Sequence, residues 1–473
     1  MRLLLLGMAL LLAACAFGQA TKKSSFLQGV ESKSSKGKSS FSQTVLKTES
    51  ASAKKEKGSS FIMNGSKPTV VKRSIDRNSN ETVLLYAKLV KRYGRWEGYG
   101  KPITKEFASH LPYYYRLTYL NGNKYPSRME AFDGYHQLTA NHGIGTYLVN
   151  QNSDSDNGAD KNWMDLLKSI CQWDFVYNNK EEIIMERAYA KDSSLVYTYH
   201  PVRIGTKTAG TFTDAWGMPA KLRSDSLGGG NVVYISYDEN GFESLLEYMD
   251  QDGYRRTNKD GAYMTRRTFS KKGLLLSDAS CNMAGHYMID NFGNCGWSSE
   301  YNQNEDSVFT IYRDAEWKPI RITTNPDPFN NNIIKNLQRY DKYGRMVEYS
   351  FWDMENRPDT NALGIHAIIY TYNNRGRTTS FTYHDIAGRL ISSASTGFAG
   401  WENKFDDEGN FTYSRYFDKD NHLVNYNGNC SSIVVYNQFG EMIENYDSTM
   451  VGQNRKLQYS SIIYKKTEKG LQK

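Results

Sequence analysis

The chain lacks the motifs that mark the common kinds of active site. It has no His or Cys pair at zinc spacing, no Gly-x-Ser-x-Gly motif, no phosphate-binding loop and no dinucleotide fingerprint. Its eight histidines are scattered. These absences argue against a zinc site, nucleotide binding and α/β-hydrolase chemistry, and we expect no cofactor, no metal ligand and no catalytic residue.

Long apolar runs are missing after the first residues, so we expect no membrane-spanning helix. Arg2 precedes the apolar run Leu3 to Leu12, which predicts an export signal over residues 1–20. Positions 12–15 fit a bacterial lipobox with acylation at Cys15, whereas Gly18-Gln19-Ala20 fits ordinary cleavage. We favour a membrane-anchored lipoprotein; the alternative is a soluble periplasmic or secreted protein.

A basic stripe is missing from the body of the protein. Residues 21–80 carry 13 Lys or Arg against 4 acids, a charge of +9 within a total of +8. This Ser/Lys-rich stretch has too few large apolar side chains for a core and is predicted to be a disordered tether. The remaining chain is therefore near neutral, and we expect no nucleic-acid partner.

An aromatic residue followed by Asp, Asn or Ser returns about every 32 residues, which is typical of a repeat array. Three residues after this second position stands a Gly, except for Glu305 in one copy. The aromatic positions are Tyr237, Phe269, Tyr301, Tyr340, Tyr372, Phe405 and Tyr436. A second turn follows twelve residues later, and a further Gly usually precedes each first turn by nine. Predicted turn residues are Asp238, Gly241, Asp341, Gly344, Asp385, Gly388, Asp406 and Gly409.

Runs of seven or eight residues rich in Tyr, Phe, Ile, Val and Thr separate the turns, a length that suits strands. We therefore predict an all-β, elongated array of antiparallel β-hairpins, because tight four-residue turns reverse the chain. A parallel β-solenoid is the alternative. The array is predicted over residues 115–448, with insertions at 139–176 and 322–332, an N-terminal cap at 81–114 and a C-terminal cap or tail at 449–473.

The insertion at 139–176 holds two further candidates. Residues 152–160 are similar to a calcium loop but depart from the EF-hand pattern, so a polar loop is the plainer interpretation. Trp163, Leu166, Leu167, Ile170 and Trp173 follow helical spacing and predict a short amphipathic helix that covers the sheet.

The Tyr-Asp-x-x-Gly turns, each followed by a strand, an Asp-x-x-Gly turn and another strand, resemble those of YD/RHS-type repeat proteins. The resemblance covers about two thirds of the chain. It implies β-hairpins that add edge to edge into a long twisted sheet. The chain is far shorter than large RHS proteins and ends at Lys473 without a toxin-like domain.

Four cysteines follow Cys15, and an exported chain meets oxidising conditions. Cys295 and Cys430 share a repeat phase four repeats apart, too far for a bridge. We therefore predict a Cys281–Cys295 disulfide, with free buried thiols as the alternative.

The 35 tyrosines and eight tryptophans offer a recognition surface or simply a well-packed sheet. Trp297, Trp352 and Trp401 are the predicted partner-binding aromatics. The main hypothesis is a non-catalytic scaffold at the bacterial envelope that binds a protein or glycan partner. An envelope polysaccharide hydrolase and a structural shell or wall component without a discrete ligand are the alternatives.

Overall fold

In a computed structural model, the described residues are 81–120, 122–140, 142–144, 169–218, 232–250, 252–258, 261–426, 428–437, 441–451, 454–462, 465–467 and 470–472. The chain divides into two units, residues 17–69 and the remainder, and every described residue belongs to the larger one. Cys15, the tether at 21–80 and the candidate calcium loop at 152–160 lie outside the described residues.

The described part is almost entirely β-structure. Its first strands are β1 (Glu81–Tyr86), β2 (Leu89–Arg92), β3 (Arg95–Gly98), β4 (Tyr114–Leu120), β5 (Arg128–Phe132), β6 (Ile170–Tyr177), β7 (Ile183–Ala190), β8 (Leu195–Ile204) and β9 (Lys207–Asp214). The next are β10 (Val232–Tyr237), β11 (Glu243–Met249), β12 (Met264–Phe269), β13 (Leu275–Cys281), β14 (Gly296–Tyr301), β15 (Ser307–Arg313), β16 (Lys335–Tyr340), β17 (Met346–Trp352) and β18 (Ala367–Tyr372). The last are β19 (Thr378–His384), β20 (Gly400–Phe405), β21 (Phe411–Phe417), β22 (Ser431–Tyr436), β23 (Met442–Val451), β24 (Asn454–Ile462), β25 (Lys465–Thr467) and β26 (Gly470–Gln472).

Two short helices complete the described structure. Helix α1 spans Lys105–Ala108 and is capped by Thr104, whose hydroxyl accepts the Phe107 N–H. A 3-10 helix covers Pro328–Asn330 inside the predicted insertion at 322–332.

Strand pairing is antiparallel and sequential. β1 pairs with β4, and from β4 to β24 each strand pairs with the next, which gives one 22-stranded sheet. β2 with β3, and β25 with β26, form separate hairpins. The predicted all-β array of antiparallel hairpins is therefore confirmed, and the parallel solenoid alternative is wrong. The reason is that Asx-type turns of four residues return the chain beside itself.

The amphipathic helix predicted in the insertion at 139–176 is wrong for its described part. Ile170 and Trp173 belong to β6, where both side chains are buried. Trp173 lies opposite Met129 of β5. Pairing with neighbouring strands therefore overrides the local 3.6-residue spacing, and the insertion ends before residue 170; Trp163, Leu166 and Leu167 lie outside the described residues.

A β-bulge recurs at the aromatic residue of the first turn. The register shifts at Tyr177, Tyr237, Phe269, Tyr340, Tyr372, Phe405 and Tyr436. Each bulge places one extra residue on the strand that follows the turn, which increases local twist. The repeat therefore specifies a bend in each hairpin as well as its reversal.

Tyrosine hydroxyls at this position also join neighbouring hairpins. Tyr372 donates to the Met346 carbonyl at 2.7 Å, and Tyr301 donates to the Leu275 carbonyl at 3.4 Å. Both bonds reach back 26 residues, to the second strand of the preceding hairpin. The aromatic residue of the repeat therefore joins adjacent units in addition to filling the core.

The core consists of two large clusters and a smaller one around Leu111, Tyr114 and Phe132. The first is built from β1 and β4–β11, with Leu117, Met129 and Val196 among its fully buried members. The second is built mainly from β14–β21 and is rich in aromatic rings, including Tyr349, Phe351 and Trp401. Because the same strand positions recur, many aromatic side chains of the described residues pack between repeats.

Candidate interaction surface

Each turn is built by a carboxylate or amide that caps its own loop. Asp238 Oδ1 accepts the N–H groups of Asn240 and Phe242, and the Gly241 N–H donates to the Asp238 carbonyl. The same bonds form at Asp341, and Asp385 and Asp406 accept the N–H four residues on. The paired glycines Gly241, Gly344, Gly388 and Gly409 all have φ between 73° and 86°. The predicted turn residues are thereby confirmed.

Alternate turns lie at opposite ends of the strands, which gives the sheet two rims. The first-turn rim comprises residues 178–182, 238–242, 270–274, 302–306, 341–345, 373–377 and 406–410. The second-turn rim comprises residues 190–194, 214–218, 250, 252–254, 282–286, 314–318, 353–357, 385–389 and 418–422. The two rims use the same turn chemistry but have different surroundings.

The chain's own N-terminal segment covers the first-turn rim. The Tyr93 N–H donates to the Gly241 carbonyl at 2.7 Å, and the Tyr99 hydroxyl donates to Glu305 Oε2 at 2.6 Å. Further along, Asp133 forms an ion pair with Arg377 at 2.7 Å. Residues between 93 and 133 therefore touch several turns of the first-turn rim.

Glycines of the first-turn rim allow this close approach. A Cβ at Gly376 would lie 2.3 Å from the backbone carbon of Leu111. A Cβ at Gly241 would lie 2.5 Å from the Tyr93 ring, and one at Gly409 would lie 2.7 Å from the Tyr135 ring. These glycines are needed for the contact as well as for the positive φ.

Glu305 replaces Gly in one copy because it binds the N-terminal segment. It adopts φ 58° and accepts hydrogen bonds from Tyr99 and Lys272. Burial alone would raise the pKa of Glu305, but these two bonds and the nearby lysine charges outweigh it and lower the pKa. The exception in the repeat is thus explained by a contact 206 residues away in sequence.

Lys91 anchors the same segment in the first core cluster. Its ammonium lies 3.3 Å from Glu243 and over the ring of Trp96. Burial alone would lower the pKa of Lys91, but the carboxylates of Glu243 and Glu186 outweigh it and raise the pKa above its usual value. The lysine is therefore charged and paired inside the fold.

The second-turn rim is open where the first is covered. A Cβ at Gly217, Gly253 or Gly388 would meet no atom within 4 Å. Six large apolar side chains are exposed on this rim: Trp216, Met218, Tyr254, Met283, Met354 and Ile386. Tyr254 is 68% exposed and Ile386 is 55% exposed. Such a row at the same edge of successive repeats is typical of an interaction surface.

The five-residue turns of the open rim are rich in carboxylates. Its eight turns contain 11 Asp or Glu against 5 Lys or Arg, a net charge of −6 with His neutral. Successive turns of one rim are two strands apart, about 10 Å. Basic side chains from flanking positions reach the same turns: Arg256 pairs with Asp250, Arg313 donates to the Trp317 carbonyl, and Lys335 donates to Asn356.

Trp317 stands where most second turns have Gly or Asn. It adopts φ 62° and stacks on Tyr287 with a centroid distance of 4.9 Å and an interplanar angle of 24°. The Arg266 guanidinium lies over Tyr287 at 5.5 Å. A bulky residue with positive φ costs about 1 kcal/mol, so the stacked pair offsets a local strain on the open rim.

Two of the three predicted partner-binding tryptophans lie in the core. Trp297 and Trp401 are 6% and 2% exposed and belong to the second core cluster. Cross-strand partners enclose them: Tyr312 opposite Trp297, and Phe381 and Tyr416 opposite Trp401. Trp352 lies on the other face, half-buried, and its indole N–H donates to Ser350. The interpretation of Trp297 and Trp401 as a recognition surface is therefore wrong, because a strand residue faces the core according to its parity.

The predicted Cys281–Cys295 bridge is not present. Both residues are free, buried thiols, as are Cys171 and Cys430. The Ser280 N–H donates to the Cys295 carbonyl at 2.7 Å, which sets Cys295 opposite Ser280. Cys281, one position further, faces the opposite side of the sheet.

Carboxylates at the turns accept hydrogen bonds from backbone N–H groups of their own turns. Among the described residues, Asp418, Asp420 and His422 have side-chain ligand atoms close enough together to hold a metal ion. Asp418 Oδ1 accepts the N–H groups of Asp420 and His422, and Lys419 pairs with Asp420 at 2.7 Å. The turn and its neighbouring cation account for this group without an ion. Across the described residues, no helix is long and apolar enough to cross a membrane.

Sequence reasoning missed the difference between the rims. A usable signal was present: Met283, Met354 and Ile386 each directly follow the Asn or Asp of a second turn. An apolar residue at a turn tip, where polar residues are usual, marks an exposed site. The cover on the first-turn rim has no comparable signal, because it joins residues far apart in sequence.

Comparison with known proteins gives a coarse similarity only. No protein-family model and no curated protein matches the chain. A crystal structure of TcdB2-TccC3-TEV matches with 10% identity over 64% of this chain and 17% of that chain, with a TM-score of 0.23. The Photorhabdus luminescens Tc holotoxin pore matches with 12% identity over 74% of this chain and 17% of that chain, with a TM-score of 0.26. A porin-like protein from Bacteroides uniformis matches with 9% identity over 61% and 87%, with a TM-score of 0.13.

This chain spans about a sixth of the length of the Tc toxin chains that it matches. With TM-scores below 0.5, none of the three similarities carries an argument about function.

Proposed function

We propose that the protein is a non-catalytic, envelope-associated repeat scaffold of the YD/RHS type that binds a protein or glycan partner through its second-turn rim. The observation that carries this proposal is the contrast between the rims. One is covered by the chain's own residues 93–133, and the other exposes six large apolar side chains above uncovered glycines. Exposed apolar groups at the same edge of several repeats favour a binding surface.

The distribution of carboxylates supports a scaffold over the hydrolase alternative. A glycosidase needs two carboxyl groups in one cleft, about 5–9 Å apart and in different environments. The recurring Asp residues instead cap turns, as Asp238 and Asp341 do. Their recurrence in each repeat is explained by the turn that each one builds.

Photo-crosslinking tests the site in the bacterium that produces the protein. A photoreactive amino acid at Tyr254 or Ile386 places the probe on the open rim. Matched controls at Val202 and Ile204, which are 59% and 52% exposed on another part of the sheet, report non-specific contacts. We expect discrete adducts from the rim positions only. Equal adduct patterns at rim and control positions, or none at either, would refute the proposed surface.

The same adducts separate the two partner classes. A protein partner gives a sharp band that protease removes. A glycan partner gives a heterogeneous band that collapses after treatment with a polysaccharide-cleaving enzyme. Either outcome supports a binding role for the second-turn rim.

The proposed lipid anchor has its own test. Intact mass and membrane fractionation of the mature protein should show an acylated chain that begins at Cys15. An unmodified chain that begins at Thr21 would remove the anchor and make the protein a soluble exported binder. The rim proposal is independent of this result.

A further inference from the structure

We propose that Met218, Met283 and Met354 on the second-turn rim are sites of reversible oxidation to methionine sulfoxide, and that this modification abolishes partner binding at the rim. The regulation rests on the proposed function, because it acts on the same surface. The oxidant is a peroxide, and hydrogen peroxide is the probe for it.

The thioethers of this rim are open to solvent. Met218 and Met283 are 60% and 50% exposed, and Met354 is 37% exposed. Met129 and Met264, in contrast, are 0% and 6% exposed. Because methionine oxidation requires contact between the oxidant and the sulfur atom, the rim methionines react before the buried ones.

Methionine alternates with other large apolar side chains along the rim. Every second turn from 214–218 to 353–357 carries a methionine. The turns between these carry Tyr254 and Trp317, and Ile386 lies in the turn that follows. Neighbouring turns of the rim are about 10 Å apart. Three oxidations therefore place a sulfoxide on the same turn as, or on the turn next to, each of the other large apolar side chains.

Oxidation changes the chemistry of the contact surface. One oxygen of hydrogen peroxide is transferred to the methionine sulfur as the O–O bond breaks, and the other oxygen leaves as water with both protons. The sulfur loses two electrons, and the peroxide gains them. The new sulfoxide oxygen is a polar acceptor, and its desolvation against an apolar partner surface is unfavourable. The modified rim therefore loses the apolar character on which its contact depends.

Cysteine thiols do not compete for the peroxide in the described part of the chain. Cys171, Cys281, Cys295 and Cys430 are all buried. Burial raises the pKa of Cys171 to about 11 and that of Cys295 to about 12, so both thiols stay protonated at neutral pH. Among the described residues, the sulfur atoms open to an oxidant are therefore those of methionines.

Peptide mass spectrometry of the full mature protein after graded hydrogen peroxide tests the sites. We expect sulfoxide to form at Met218 and Met283 at least about tenfold faster than at Met129 and Met264. Equal rates at these positions, or earlier oxidation of a described cysteine, would overturn the assignment. Two methionine sulfoxide reductases, one for each sulfoxide epimer, should restore the thioethers with a dithiol as reductant. Sulfoxide that persists after this treatment would overturn the reversibility.

Photo-crosslinking from Tyr254 tests the effect on binding, with hydrogen peroxide added to the bacteria before illumination. The rim variant combines Met218→Leu, Met283→Leu and Met354→Leu, which keeps the apolar area and removes the thioethers. Its matched control is Met442→Leu, because Met442 is 38% exposed where β23 begins, at the first-turn end of the strands. Both variants are first checked for an unchanged thermal unfolding midpoint.

We expect peroxide to reduce the adducts of the unmodified protein and of the control at least about tenfold. The rim variant should keep its adducts. Equal loss in the rim variant and the control would overturn the proposal, since the rim sulfur atoms would then not be the cause.

Failure of this proposal is separable from failure of the proposed function. Discrete adducts from Tyr254 that resist peroxide in the unmodified protein would leave the binding surface in place and overturn its regulation by oxidation. Absence of adducts before peroxide is added would refute the proposed binding surface and the regulation together.

Discussion

Gly376 and Gly388 have nearly the same backbone but lie on opposite rims, so one substitution at both positions isolates the contact with the N-terminal segment. Their φ angles are 78° and 76°. A Cβ at Gly388 would meet no atom within 4 Å, whereas a Cβ at Gly376 would meet the backbone of Leu111 and Pro112 at 2.3–2.5 Å. Asn is the informative replacement, because Asn356 and Asn421 occupy the position equivalent to Gly388 in other repeats and also have positive φ.

The expected costs follow from this geometry. Gly388→Asn keeps a conformation that Asn adopts readily and should cost about 1 kcal/mol or less. Gly376→Asn adds a clash with backbone atoms that have no flexible end to move. Overpacking of this kind costs about 1–3 kcal/mol beyond the backbone term. We therefore expect the two variants to differ by about 2 kcal/mol.

Urea unfolding midpoints measure the difference, and hydrogen exchange over residues 88–112 reports whether the N-terminal segment detaches. Gly376→Asn should lower the midpoint and speed exchange in that segment, while Gly388→Asn should leave both nearly unchanged. Asn356→Gly is the reverse control and should be close to neutral. Equal destabilisation at Gly376 and Gly388 would refute the argument that the first-turn rim is held by this contact.

Three further predictions concern single side chains. Tyr372→Phe should cost about 1 kcal/mol in urea unfolding, because its hydroxyl bonds to Met346; Tyr254→Phe is the exposed control, and equal effects would contradict the inter-hairpin bond. Burial lowers the pKa of His142 to about 4, so stability should fall by about 3 kcal/mol as pH drops from 6.5 to 4; His142→Gln should flatten that profile. The pKa of Glu305 is lowered in the folded protein. Its contribution to the free energy of unfolding is therefore present above the pKa that it has in the unfolded chain. That contribution is lost as pH falls through the lower pKa of the folded state. Glu305→Gln should therefore reduce the acid sensitivity of proteolysis near Tyr99, and an unchanged acid profile would count against the Tyr99 contact.

Local chemistry explains why the sequence predicted the array and its turns. Asp or Asn with a following Gly specifies a tight turn through bonds within five residues, and the aromatic runs between turns specify strands. Asp238, Gly241, Asp385 and Gly388 could therefore be placed from the sequence. Their period also predicted the all-β hairpin array, since identical short turns repeat one reversal.

The face of the sheet that a side chain occupies, and the distant residues that it contacts, could be read only from the tertiary structure. Trp297 and Trp401 have unremarkable local sequences, and only the register of β14 and β20 turns them into the core. Ile170 and Trp173 have helical spacing, yet pairing with β5 and β7 makes them part of a strand. In each case, contacts with neighbouring strands stabilise the observed placement of the side chain. Strand register decides which residues meet across the sheet, and the residues nearby in sequence do not.

The sequence by itself determined the repeat, the positions of the reversals and the composition of each rim. The tertiary structure alone decided that one rim is covered and the other open. The cause is that residues 93–133 pair with turns up to 244 positions away, a choice governed by packing and charge between distant segments. Each turn is specified by residues within its own repeat. The contact between residues 93–133 and the first-turn rim occurs once, and it depends on two segments that are far apart in sequence.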